Sequence, residues 1–114
     1  DARLMLSCMK YASNFGLPII IHPEDYSLAG KGQIHSGKVA TKLGLSGIPG
    51  LAEEVIIARD IMLAESAGAQ LHIAHISTAR SLELVKNAKD KETVIKELRE
   101  CIEKENEKEE GKNE

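Results

Sequence analysis

The sequence predicts a parallel α/β fold, read in order as α-β-loop-α-β-α. Two short segments, 17–22 and 70–76, have the apolar character of strands buried on both faces, the habit of parallel sheets. A long amphipathic segment, Leu51–Ala67, lies between them and has the length of a crossover helix. The stretch 23–50 holds six of the nine glycines, and a connection of that length inside a compact domain is usually functional.

Each element has a local reason. Residues 2–15 read as a helix with an apolar stripe of Leu4, Met5, Cys8, Met9 and Ala12. Gly16 suits the left-handed position that closes a helix, and Pro18 prevents continuation. Leu17–Ile21 is the first strand and His22 ends it. A helical turn or two is expected around Ser36–Leu43. In the segment Leu51–Ala67, Leu51, Val55, Ala58, Ile61, Met62 and Glu65 mark the helical turns. Glu53 and Glu54 fall in its first turn, where the helix dipole favours acids, and Gly68 closes it. Gln70–Ile76 is the second strand. Ser77 or Thr78 then caps a helix through Ala88, with Leu82, Val85 and Ala88 facing inward.

Charge divides the chain. Residues 90–114 carry ten acids against six bases, a net charge of −4, whereas residues 1–89 are +1, so the expected boundary is near Asp90. The two expected parts are 1–89, the α/β body, and 90–114, a charged helical or disordered tail. Within the tail, Val94, Ile95, Leu98, Cys101 and Ile102 form a helical stripe.

Composition excludes several function classes. A net charge of −3 gives no cationic footprint for nucleic acid. Aromatics are 3% of the chain, without tryptophan, which argues against base-stacking platforms. No apolar run approaches the roughly 20 residues of a membrane span. Cys8 and Cys101 lie far apart without metal or redox spacing and read as reduced thiols in a cytoplasmic protein. The chain starts at Asp1 without a leader pattern, which suggests an internal fragment.

The chemistry gathers at the strand ends, where parallel α/β folds place their active sites. His22 ends the first strand and His75 lies near the end of the second. On adjacent strands the two side chains would enter one mouth. Imidazole is the commonest protein ligand for Zn²⁺, so the pair is half of a metal site, or else two hydrogen-bonded polar residues at strand ends. Alternation puts Leu71, Ile73 and His75 on one face and His72, Ala74 and Ile76 on the other. With His75 in the mouth, His72 is expected to face the helix layer in a structural role. His35 reads as solvent-facing or loop-stabilising, and Glu54 and Arg59 as a scaffold ion pair.

Three segments now become familiar. Gly16-Leu17-Pro18-Ile19-Ile20-Ile21-His22-Pro23-Glu24-Asp25 resembles the G-x-P-[VI]-x-x-H-x-E-D segment of dihydroorotases. Gly44-Leu45-Ser46-Gly47-Ile48-Pro49, followed by Glu53 or Glu54 and then Ala58-Arg59-Asp60, resembles their next loop and helix. Leu71-His72-Ile73-Ala74-His75-Ile76-Ser77-Thr78 resembles their H-I-x-H-[VI]-S-T strand. The resemblance covers about residues 2–89. Allantoinases and dihydropyrimidinases or hydantoinases share a weaker version.

The resemblance implies about two βα units of a (β/α)₈ TIM barrel, a fold that needs about 250 residues when complete. It implies a hydrolase acting on cyclic amides, which interconverts N-carbamoyl-L-aspartate and L-dihydroorotate in pyrimidine biosynthesis. It places metal ligands at His22 and His75. One or two Zn²⁺ ions per complete site would activate water and polarise the ring carbonyl. Glu24 and Asp25 would be outer carboxylates that orient a histidine or close the mouth, the alternative being a turn or helix cap. The expected partner is a small-molecule substrate, with no nucleic acid and no membrane, and a homo-oligomer of the complete protein stays open. The family's first-strand H-x-H, its fourth-strand bridging carboxylate or carboxylated lysine, its substrate-binding arginine and its eighth-strand aspartate have no counterpart here. No catalytic residue is therefore assigned in this chain, and the isolated chain is expected to be inactive. The other class kept open is a non-catalytic remnant or interaction protein that uses the Val94–Ile102 stripe.

Overall fold

A computed structural model describes the backbone of residues 1–110, with side chains described through Glu92 and at Glu100 and Glu103. The first helix, α1 (Ala2–Ser13), begins where the Asp1 carboxylate accepts from the Leu4 amide at 2.8 Å. Gly16 takes φ 64° just beyond its end, as the sequence predicts. Strand β1 (Ile19–Ile21) follows. The crossover helix α4 (Leu51–Ala67) and strand β4 (Leu71–Ile73) complete the main unit. The β1 and β4 strands pair in parallel with Ile19, Ile20 and Ile21 opposite Leu71, His72 and Ile73. This is the predicted arrangement, with both strands shorter than the sequence suggests.

One face of this sheet is covered and the other is bare. Ile21 is buried and Leu71 and Ile73 are half-buried, whereas Ile20 and His72 are exposed side by side. Helices α1 and α4 pack together on the covered side, with Met9 and Ile57 fully buried between elements. The apolar stripes are buried only in part. In α1 the buried residues are Met9 and Ala12, while Leu4 and Cys8 are exposed. In α4 they are Ala52, Glu53, Ile57, Asp60 and Ala64, and Leu51, Val55 and Met62 face outward. A helix that is apolar on most of its circumference has no unique stripe, so small residues that permit close approach select the packed face.

The glycine-rich connection is built rather than loose. It holds α2 (Tyr26–Ala29), β2 (Ile34–His35), α3 (Lys38–Leu43) and β3 (Gly47–Ile48). The helical turn expected around Ser36–Leu43 is α3. The parallel β2–β3 pair, Ile34 opposite Gly47 and His35 opposite Ile48, was not anticipated. It depends on Gly47, where a Cβ would sit 2.5 Å from the Ser36 Cα. Two-residue strands carry too little periodicity to be read from sequence.

The last helix, α5 (Ala79–Glu110), runs past the expected end at Ala88, because no glycine or proline interrupts it. Ser81 is fully buried at its start, Leu82 is 60% exposed rather than inward, and Val85 and Ala88 are half-buried. The side chains of the Val94–Ile102 stripe lie outside the described residues. No helix among the described residues is long and apolar enough to cross a membrane.

Candidate metal centre

His22 follows β1 directly and His75 follows β4 by two residues. Their rings meet edge to face, with centroids 4.2 Å apart and planes at 84°. The parity argument fails in between. His72 shares the bare face with Ile20 instead of turning to the helices. His75 reaches His22 because regular pairing stops at Ile73. The Ala74 amide still donates to the Ile21 carbonyl at 3.0 Å, and the chain then bends away. Alternation holds only within a continuous strand, so it does not carry across this bend.

The two rings open into a cavity of about 220 Å³, shared with Glu24, His35, Glu53 and Ser77 and walled by Pro23, Ile48 and Pro49. His35 is exposed, as expected, and also lines this cavity. It gets there through β2, whose pairing with Ile48 places it over the start of α4. His72 does not line this cavity.

The neighbouring acids divide their work. Glu24 is half-buried on the cavity wall. Asp25 instead caps α2, accepting from the Ser27 and Leu28 amides at 2.9 and 3.1 Å and from the Ser27 hydroxyl. These bonds, the Ser27 hydroxyl foremost, hold its carboxyl below the usual range. The Asp25 amide also donates to the Ala52 carbonyl at 2.8 Å, tying the segment after His22 to α4.

Glu53 is the residue that sequence reasoning missed. It is buried, and its carboxylate accepts from the Ser77 amide at 2.9 and 3.0 Å and from the Thr78 amide at 3.2 Å. Burial pushes its carboxyl up, but the hydrogen bonds led by the Ser77 amide outweigh this and the net shift is down. The available signal was its place in the helix's first turn together with the Ser77-Thr78 pair, two ends that nothing in one sequence joins. The expected Glu54–Arg59 pair does not form. Arg59 binds its neighbour Asp60 at 2.7 Å, while Glu54 lies 3.9 Å from Arg80. Residues five apart on a helix point in divergent directions, unlike those three or four apart.

Two converging imidazoles suit Zn²⁺, which takes histidine nitrogens readily. No group of three or more His, Cys, Asp or Glu with metal-holding geometry occurs among the described residues. The donor set therefore fits part of a metal site rather than a complete one.

Comparison with known proteins bears on the family and the fold. The family model described as Dihydro-orotase-like matches residues 1–81. A dihydroorotase of Anaeromyxobacter sp. (strain K) is 50% identical over 89 residues, which are 78% of this chain and 21% of that protein. A dihydroorotase of Pelotomaculum thermopropionicum is 51% identical over the same shares. The chain thus spans about a fifth of the length of the curated relatives it matches. Among solved structures, a D-hydantoinase from a Bacillus sp. superposes with a TM-score of 0.64 at 23% identity, over 80% of this chain and 20% of that one. At that identity the likeness concerns the fold alone, an α/β segment resembling part of that protein.

Proposed function

This chain belongs to the dihydro-orotase-like family, and from that premise we propose that it is the part of a dihydroorotase that contributes two metal-binding histidines. The single observation that carries the reading is the His22–His75 ring contact at the ends of adjacent parallel strands. The reaction proposed for the whole protein is the interconversion of N-carbamoyl-L-aspartate and L-dihydroorotate in pyrimidine biosynthesis. Zn²⁺, one or two ions in a complete site, would supply activated water and polarisation of the ring carbonyl.

This chain's own residues do the holding and shaping. His22 and His75 line the cavity and would supply ring nitrogens to the metal. Pro23, Ile48 and Pro49 give it an apolar wall, and Glu24, which lines the same cavity, would orient an imidazole or close the mouth. Asp25 acts on the site only by fixing the turn after His22. Residues 1–89 form the barrel portion in this reading and 90–114 the charged tail, which α5 enters without a break. A small cyclic amide is the partner, and a cytoplasmic setting goes with the free Cys8 thiol.

The test is a chimera in which residues 1–89 replace the matching segment of the Anaeromyxobacter dihydroorotase. It should turn over dihydroorotate in preference to hydantoin and allantoin, and His22→Ala or His75→Ala should abolish turnover. The isolated 114-residue chain with added Zn²⁺ should convert no carbamoyl-aspartate, because a catalytic site needs three or more protein ligands around an open position. A folded, zinc-loaded chimera that ignores dihydroorotate would overturn the proposal.

A further inference from the structure

His75 sits on a two-residue bridge between fixed points. On one side, the Ala74 amide is bonded to the Ile21 carbonyl of β1. On the other, the Ser77 and Thr78 amides are bonded to the buried Glu53 carboxylate on α4. Only His75 and Ile76 lie between these anchors. Both oxygens of Glu53 are engaged with Ser77, so the carboxylate fixes the direction of the turn as well as its distance.

We infer that Glu53 is a positioning residue for the histidine pair: by gripping the Ser77 and Thr78 amides it sets the turn that brings the His75 ring against His22. The alternative is that Glu53 serves only the start of α5. Glu53 does bear on α5 through the Ser81 side chain, but the helix start also has a group of its own, since the Thr78 hydroxyl accepts from the Ser81 amide at 3.1 Å and donates to the Ser81 hydroxyl at 2.9 Å. Glu54, the adjacent acid, is half-buried and lies 3.9 Å from Arg80, with no bond to the Ser77 or Thr78 amides among the described residues, and serves as a control. The consequence for metal binding rests on the reading of His22 and His75 given above, whereas the ring geometry does not.

The experiment is NMR on the full chain with labelled histidines. It compares the natural sequence with Glu53→Ala, Glu53→Gln, Glu54→Gln, Thr78→Ala and His75→Ala. The first readout is the nuclear Overhauser contact between the His22 and His75 rings without metal. The second is Zn²⁺ affinity from the ring resonances. Glu53→Ala should lose the ring contact and weaken Zn²⁺ binding by about 10-fold or more, the usual cost of removing a group that orients a ligand. Glu53→Gln keeps one acceptor oxygen and should restore part of both. Thr78→Ala should lower stability yet keep the ring contact, and Glu54→Gln should change neither readout. If Glu53→Ala unfolds the chain, Glu53→Gln decides on the ring contact alone. An undiminished ring contact in the deciding Glu53 variant, or equal loss of it in Thr78→Ala, overturns the inference. Failure of the natural chain to bind Zn²⁺ at these rings, or unchanged binding in His75→Ala, counts against the metal reading and leaves the ring contact to judge Glu53.

Discussion

His22 and His75 stand ring against ring, 4.2 Å between centroids, although neither belongs to a strand. The sheet brings their backbones level by pairing Ile21 with Ile73, and the bend after Ile73 turns the second ring toward the first. The contact is therefore a property of how the strands end as much as of how they pair.

The packed face of α4 can be tested by a pair of truncations. Ile57 is fully buried and Met62 is 69% exposed. Ile57→Ala should cost about 2–5 kcal/mol of unfolding free energy, and Met62→Ala should fall within about 0.5 kcal/mol of the parent. Urea denaturation measures both. Equal costs would mean that the apolar stripe through Met62 is the true core face.

Thr78→Ala should cost about 1 kcal/mol, since it removes the side-chain acceptor for the Ser81 amide and leaves the buried Ser81 hydroxyl without that partner. Faster hydrogen exchange at Ser81 should accompany the loss. Unchanged exchange there would show that the cap is not formed in solution.

Asp60 is fully buried with Oδ1 on Arg59 and Oδ2 without a hydrogen-bond partner among the described residues. Arg59→Ala should therefore destabilise the chain by roughly 2 kcal/mol, less than for a fully buried pair because Arg59 is partly exposed. Adding Asp60→Asn should recover part of the loss by removing the stranded charge. A double variant no more stable than Arg59→Ala would rule out that electrostatic account.

Acid should weaken the fold in a defined direction. The Glu53 carboxyl titrates below its ordinary value of 4.5 in the folded chain. A depressed folded-state value adds stability that is complete above the unfolded value and is lost as pH falls through the folded one. Melting temperatures measured from about pH 7 down to pH 3 should hold level and then drop below about pH 4.5. Glu53→Gln should show a shallower drop. An identical acid profile in that variant would assign the loss to other carboxylates.

The order of the main elements and the parallel pairing were legible because Ile-rich runs and a long helical segment repeat over enough residues to leave a pattern. The strand-end histidines were legible for the same reason, helped by the motifs around them. What the sequence hid was set by contacts between distant segments. Glu53 reads as one more acid in a first turn until Ser77 and Thr78 are brought to it. Asp25 could serve a histidine or a cap, and the Ser27 and Leu28 amides decide for the cap. The outward turn of His72 follows from which side α1 and α4 cover, and α4 is apolar on too many sides for its sequence to choose.

The close approach at Gly47 bears on how this segment can change over time. The obstacle to a side chain there is the Cα of Ser36, which no rotamer change can clear. Every missense change from a glycine codon adds at least one carbon, so even the smallest replacement forces β2 and β3 apart and carries His35 with them. Grafting the connection between two family members should therefore transfer Ser36 and Gly47 as one unit, since either parent's half alone brings a mismatched backbone to the seam.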